Sequence, residues 1–274
     1  MITLVNGEPG ARIEAADRGL QFGDGAFETL RLQAGVPVLW GRHWSRLCRG
    51  LDRLGIPRPR EQDCLDELAR VSLNVPSMAK LIVTRGPGPR GYAPPVVVHP
   101  TRIVIGGAPL DIPDASDILR LGVCRTRVSR SPVPGCKHLN RLENVLARRE
   151  WADDWDEGLM LDAGGRVRCG TQSNVFVLEG DALLTPGLAV HGVAGTRRCW
   201  LLDHAGSAGL AVRETSMTLE QLRRGDAIFL TSARLGLRRA MLATARQAPL
   251  EDSHRVASRL ERVREIGEQM NAVD

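Results

Sequence analysis

A mixed α/β fold divided into two domains is what this sequence predicts, and three observations carry the expectation. Short runs with apolar residues at alternate positions are interleaved with longer segments whose apolar residues recur every three to four positions, the signatures of strands and helices. A length of 274 residues suits one large domain or two of moderate size. The stretch 109–117, with two prolines and three aspartates, breaks both patterns. It divides a smaller N-terminal domain, 1–108, from a larger C-terminal domain, 118–274.

The N-terminal block opens on a strand, Ile2–Val5, followed by the hairpin signal Asn6-Gly7. The glycine-rich stretch Asp17–Gly25 reads as a tight turn. Ala26–Leu32 alternates apolar with polar residues, as a half-buried strand does. Residues 41–55 read as a helix with Trp44, Leu47, Leu51 and Leu54 on one face and Arg42, Arg46, Arg49 and Arg53 off it. Gly55 and Pro57 stop that helix, and a second is expected at about 61–73. A strand begins at Lys80 and runs into the rigid loop Arg85–Tyr92. Either Arg85 or Arg90 of that loop could hold a carboxylate, and a plain solvated loop explains the same residues. Thr101–Ile105 is a further strand.

The C-terminal block opens on a strand at 118–130. A helix is expected from Leu139, with Leu142 and Leu146 on one face. Glu157–Leu161 and Asn174–Leu178 read as strands, with a hairpin turn at Asp162–Gly165. The helix entered at Gly195-Thr196-Arg197 has glycines and fresh N–H groups at its start, which suit a phosphate as well as an ordinary helix entry. Ala227–Ser232 is a buried strand ending in two hydroxyls, and 251–271 a final helix.

Composition narrows the function. No apolar run reaches membrane-spanning length, and the first residues lack the basic-then-apolar pattern of an export signal, so the expected location is the cytoplasm with no membrane partner. Six cysteines without a CxxC pair argue against a zinc site and a disulfide scaffold. A formal charge of +5, carried by arginines scattered among acids with few aromatics, disfavours nucleic acid and suits a small anionic substrate. The 37 basic residues include only two lysines, Lys80 and Lys137. Arginine stays protonated, whereas a lysine of lowered pKa can act as nucleophile or base. Lys137, at the mouth of a helix, is therefore a candidate for chemistry.

Taken together these segments resemble the class IV pyridoxal-phosphate enzymes, which include branched-chain and D-amino-acid aminotransferases and 4-amino-4-deoxychorismate lyases. Asp17-Arg18-Gly19 with Gln21-Phe22-Gly23-Asp24-Gly25 matches the first motif of the family, and His43 and Arg46 match its phosphate-binding helix. Lys137 falls at the Schiff-base lysine. Gly195-Thr196-Arg197 and Thr231-Ser232 match the two segments around the cofactor phosphate. The correspondences run in order through nearly the whole chain. Within the family, Lys137-His138-Leu139-Asn140-Arg141-Leu142-Glu143 and the Arg85–Tyr92 loop look like the lyases.

The resemblance implies a fold-type-IV architecture, a homodimer, and pyridoxal 5′-phosphate as cofactor. It implies release of pyruvate from 4-amino-4-deoxychorismate through the lysine Schiff base, giving 4-aminobenzoate for folate synthesis; the alternative is a D-amino-acid or branched-chain aminotransferase. Arg46, Lys137, Thr196, Arg197 and Ser232 are the expected cofactor residues, and Arg90, Thr231 and Arg141 the expected substrate residues. One position departs from the family: Cys169 stands where a glutamate usually faces the pyridine nitrogen. A neutral thiol cannot hold that nitrogen protonated as a carboxylate does.

Overall fold

A computed structural model describes residues 1–10, 12–111, 117–243 and 254–270. The chain separates into two compact units, one of residues 1–111 with 136–141, the other of residues 117–135 and 142–270. The segment 136–141, expected within the C-terminal domain, thus groups with the first unit. Residues 112–116 of the expected linker lie outside the described residues.

The first unit is an antiparallel sheet of β1 (Ile2–Val5), β2 (Glu8–Pro9), β3 (Gly25–Gln33), β4 (Val36–Pro37), β5 (Ser77–Thr84) and β6 (Thr101–Pro109), in the order β2-β1-β6-β5-β3-β4. Its helices are α1 (Arg18–Phe22), α2 (Trp40–Leu54) and α3 (Glu61–Arg70). Alternation does the work predicted of it. Leu30 and Leu32 of β3, Leu81 and Val83 of β5 and Val104 of β6 point to one side and meet Leu47 and Leu51 of α2 and Leu68 of α3. Each such side chain contributes ~2 kcal/mol through burial. The glycine-rich stretch read as a turn contains the single turn of α1, because Asp17 caps it by accepting from the N–H of Gly19 (2.8 Å) and Gly23 ends it in the left-handed region (φ 64°).

The second unit holds β7 (Leu119–Arg127), α4 (Leu142–Arg148), β8 (Glu157–Leu161), β9 (Val167–Gly170), β10 (Asn174–Glu179), β11 (Ala182–Pro186), α5 (Thr196–His204), β12 (Ala211–Thr215), α6 (Leu219–Arg224), β13 (Ala227–Ser232), β14 (Gly236–Leu242) and α7 (His254–Gln269). Its mixed sheet has the order β12-β11-β10-β13-β14-β7-β8-β9. The helix expected from Leu139 begins at Leu142, because residues 137–139 are extended along β3. Leu142 and Leu146, expected on one face of that helix, are 70% and 44% exposed. Among the described residues no helix is long and apolar enough to cross a membrane.

Short β4 is the detail that positions everything below. It pairs with β3 only at Leu32 and Gln33, so the Gly25–Phe27 end of that edge is open. Residues 137–139 fill it. The N–H of Phe27 donates to the carbonyl of Lys137 (2.9 Å), and the N–H of Leu139 donates to that of Gly25 (3.0 Å). Gly25 has no room for a side chain: a Cβ there would lie 2.6 Å from the Val83 carbonyl oxygen and 2.8 Å from Leu139 Cδ1. Gly25→Val is expected to cost ~2 kcal/mol by overpacking this junction. A urea midpoint equal to that of the parent would contradict the tight seating of Leu139.

Candidate active site

Lys137 projects from this docked segment. Its ammonium nitrogen lies 4.4 Å from the centroid of the Phe27 ring. The side chain keeps some surface, yet its nitrogen is deep enough in protein that the pKa falls to about 7. Burial is the main cause; Arg46, Arg141 and Lys80 push the same way, against the pull of Glu28. About half of such amines are neutral at pH 7, the form that attacks a carbonyl or takes a proton. The segment is braced from its far end. Asn140 Nδ2 donates to the Gly23 carbonyl (3.0 Å), and Arg141 turns back to donate to the carbonyls of His138 (3.1 Å) and Cys136 (2.9 Å). Arg141, expected at the substrate, therefore supports the lysine segment. Burial and Arg141 hold His138 down to about 4, so it is neutral at pH 7.

Arg46 is buried rather than standing off the apolar face of α2, because β3 supplies it with an acid. Glu28, also buried, accepts from Arg46 Nε (2.8 Å) and from Arg46 Nη2, and its Oε2 lies 2.6 Å from His43 Nδ1. Burial alone would raise the Glu28 pKa. Arg46, and then His43, overcome that and take it to about 2. Sequence reasoning missed Glu28, though a signal existed: the alternation that buries Ala26, Leu30 and Leu32 puts Glu28 on the same face, where a carboxylate needs a partner.

The loop after β5 carries the remaining candidates of the first unit. Arg85 is buried and donates to Asp24 and to the carbonyls of Leu54 and Gly55, at the end of α2. That removes it as a carboxylate holder and leaves Arg90, which is exposed. Buried Arg18 anchors the loop just beyond Arg90 by donating to the carbonyls of Gly91, Tyr92 and Ala93. Arg85 and Arg18 together hold the Asp24 pKa down against burial.

In the second unit, Asn174 organises the phosphate-type segments. It pairs in register with Thr231 across β10 and β13, and its Nδ2 donates to the Val193 carbonyl (3.0 Å). A Cβ on Gly195 would lie 2.0 Å from Asn174 Oδ1, so only glycine fits at the start of α5. The first turn of α5 leaves N–H groups without helical acceptors, a setting for an anion. Thr196 is buried at that turn. The Thr231 hydroxyl is buried without a hydrogen-bond partner among the described residues. Ser232 Oγ accepts from the N–H of Leu235 (3.1 Å) and shapes the turn after β13. The side chain of Arg197 is buried and donates to the Met270 carbonyl (3.2 Å), so at this position the backbone N–H is the group suited to an anion.

Cys169 is a buried free thiol packed with Cys124, Val128, Ala147, Trp151 and Met160. The neighbouring acid, Glu157, is engaged elsewhere. Its carboxylate accepts from the N–H groups of Gly158, Thr171 and Gln172 and from the hydroxyls of Thr171 and Ser173. It thus shapes the 170–174 loop. Among the described residues no cluster of three or more His, Cys, Asp or Glu side chains suits a metal ion.

The class IV aminotransferase family model matches residues 25–241, and the chain belongs to that family. An aminodeoxychorismate lyase from Vibrio harveyi is 32% identical over 85% of this chain and 88% of its own length. The crystal structure of 4-amino-4-deoxychorismate lyase from Pseudomonas aeruginosa superposes with a TM-score of 0.83 at 42% identity, covering 88% of this chain and 90% of that one. A D-alanine aminotransferase from Bacillus licheniformis is 27% identical over 85% of this chain and 84% of its own length.

Glu28→Ala would remove the buried carboxylate that Arg46 and His43 share, at an expected cost of ~3 kcal/mol. The sign of the pH effect follows from the depressed pKa. The stability that Glu28 contributes is complete above its ordinary value of 4.5 and is lost as pH falls toward about 2. Denaturation of Glu28→Gln should therefore show a flatter acid limb in that window. A limb as steep as the parent's would assign the acid sensitivity to other carboxylates.

Proposed function

We propose that this chain is a pyridoxal-phosphate-dependent carbon–oxygen lyase that converts 4-amino-4-deoxychorismate to 4-aminobenzoate and pyruvate. The observation that carries the reading is the buried Lys137 amine, with its pKa at about 7, in the Lys-His-Leu-Asn-Arg-Leu-Glu segment held on β3. The cofactor fits the residues present. Lys137 is an amine suited to its carbonyl; Arg46, the first-turn N–H groups of Thr196 and Arg197 and the hydroxyl of Ser232 suit its phosphate, and Thr231 suits the substrate beside it. The Thr231 hydroxyl, without a partner among the described residues, supports a polar ligand at this place, since a buried donor without an acceptor is costly. When bound, pyridoxal phosphate supplies an electrophilic carbonyl and a conjugated ring that draws electrons from the bonds being broken.

The chain's own groups perform the rest. Neutral Lys137 removes the proton from the substrate carbon that bears nitrogen. Exposed Arg90 receives a substrate carboxylate on the loop that Arg18 anchors. Cys169 gives the ring nitrogen no acid, which weakens the electron sink on which a transaminase relies. A lyase gains driving force because its product ring becomes aromatic. The same reading includes a cytoplasmic homodimer. The exposed Leu142, Val145 and Leu146 of α4 support such pairing by offering apolar surface for a second copy to cover.

An assay of the purified protein with 4-amino-4-deoxychorismate should give 4-aminobenzoate and pyruvate in equal amounts. D-Alanine alone should leave the cofactor spectrum unchanged. Conversion of the cofactor to its amine form by D-alanine, without 4-aminobenzoate, would replace the lyase by an aminotransferase.

Lys137→Ala should abolish the cofactor's visible absorption. In the protein freed of cofactor, acylation of Lys137 should rise with pH and reach half its maximum rate near pH 7, which peptide mapping can follow. A midpoint near the 10.5 of an ordinary lysine would refute the desolvated amine.

A further inference from the structure

The other lysine of the chain lies against the same aromatic ring. Lys80, expected at the start of a strand and with only a structural role, is in the middle of β5. It pairs in register with Thr29, diagonal to Phe27 on the same face of the sheet. Its ammonium nitrogen is 4.6 Å from the Phe27 ring centroid, against 4.4 Å for Lys137. Lys80 approaches from β5 on one side of β3, and Lys137 from the segment docked on the other. Neither has a hydrogen bond or ion pair to an acid among the described residues. Phe27 is the ring they share.

A guanidinium stacks on a phenyl ring at least as readily as an ammonium, and it never loses its proton. This chain uses arginine at every basic position but these two. What a lysine adds at position 80 is a proton that can be given up. Burial lowers both amines. Lys137 falls to about 7, whereas Lys80 is half-buried and lowered by burial alone. A charge on Lys80 also favours neutral Lys137. Around Lys137 stand Arg46 of α2, Glu28 of β3 and Arg141 of its own segment. On the Lys80 face the neighbouring charge by register is Arg31 of β3, and β5 and β6 present Met78, Ile82, Ile103 and Ile105 there, with no acid. Two amines against one ring disfavour being charged together, which suits one of them as base and the other as acid.

Resting on the lyase reading, we propose that Lys80 is the acid to Lys137's base, protonating the oxygen of the departing enolpyruvate. The proton account balances. Lys137 takes a proton from the substrate carbon, and the C–H electron pair enters the ring as it becomes aromatic. The C–O pair leaves with the enolpyruvate oxygen, which receives the Lys80 proton. Transfer of a proton from Lys137 to Lys80, directly or through water, restores both amines. Enolpyruvate becomes pyruvate by tautomerisation, with no net proton gained or lost by the protein.

The test uses the cofactor-loaded enzyme. Lys80→Arg keeps the charge but cannot deliver the proton, and should lower kcat about a hundredfold while KM and the visible absorption stay near the parent's. Lys80→Ala should fall as far and recover part of its kcat with added methylammonium. The parent's alkaline limb of kcat should be absent from Lys80→Arg. Parental kcat in Lys80→Arg, a change confined to KM, or no recovery of Lys80→Ala with methylammonium would each overturn the proposal. Failure of the parent enzyme itself to form 4-aminobenzoate would instead overturn the lyase reading.

Discussion

Two backbone hydrogen bonds hold the Lys137 segment in place: Phe27 N–H to Lys137, and Leu139 N–H to Gly25. They exist because β4 is only two residues long and leaves the edge of β3 unpaired where Lys137 must sit. An open sheet edge is usually a liability, to be blunted or covered. Here it receives a segment whose neighbours on both sides in the chain belong to the other unit. A lysine on a free loop would range over many rotamers and stay hydrated. Pairing to β3 fixes its backbone beside Phe27, and the desolvation that lowers its pKa follows from that position.

The charge beneath the lysine is balanced by the same strand. β3 turns Phe27 toward Lys137 and Glu28 to the opposite face, where Arg46 and His43 of α2 meet it. Without Glu28, Arg46 would lose the buried carboxylate that receives its Nε and Nη2, and burying its charge would cost more. With Glu28 present, Arg46 stays buried and adds to the depression of the Lys137 pKa, while Glu28 limits it. One period-2 strand thus sets both the hydrophobic contact and the electrostatic environment of a single amine.

How much of this was legible follows from the range of each interaction. The alternation of β3 and the hairpin after β1 are local, and the sequence displays them directly. The burial of Arg46 is not local. A helical wheel places it off the Trp44, Leu47, Leu51 stripe, and the acid that draws it inward lies 18 residues earlier on a strand. The late start of α4 has the same kind of cause, since tertiary pairing to β3 competes for residues 137–139 and wins. Strands β9, β12 and β14 escaped notice because charged residues interrupt their apolar runs: Arg168, Arg213 with Glu214, and Arg238 with Arg239. The motif around Lys137 could be read from sequence, but the ring it shares with Lys80 could not, because the two lysines are joined only through the register of β3 with β5.

On the lyase reading, with Cys169 opposite the ring nitrogen, Cys169 and the lysine pair bear on one another through the energetics of bond breaking. A ring nitrogen without a carboxylate partner withdraws fewer electrons, and Glu157, the nearby acid, has its carboxylate committed to five donors in the 157–173 region. Less stabilisation of negative charge on the cofactor side leaves more of it to be met at the departing oxygen. Protonating that oxygen as it leaves lowers the barrier there, and general acids of this kind contribute ~10²–10⁴ in rate. On the lyase reading, an apolar thiol at position 169 and an ammonium at position 80 are complementary choices. The first gives up part of the electron sink, and the second assists the leaving group, in a reaction whose aromatic product supplies the remaining drive.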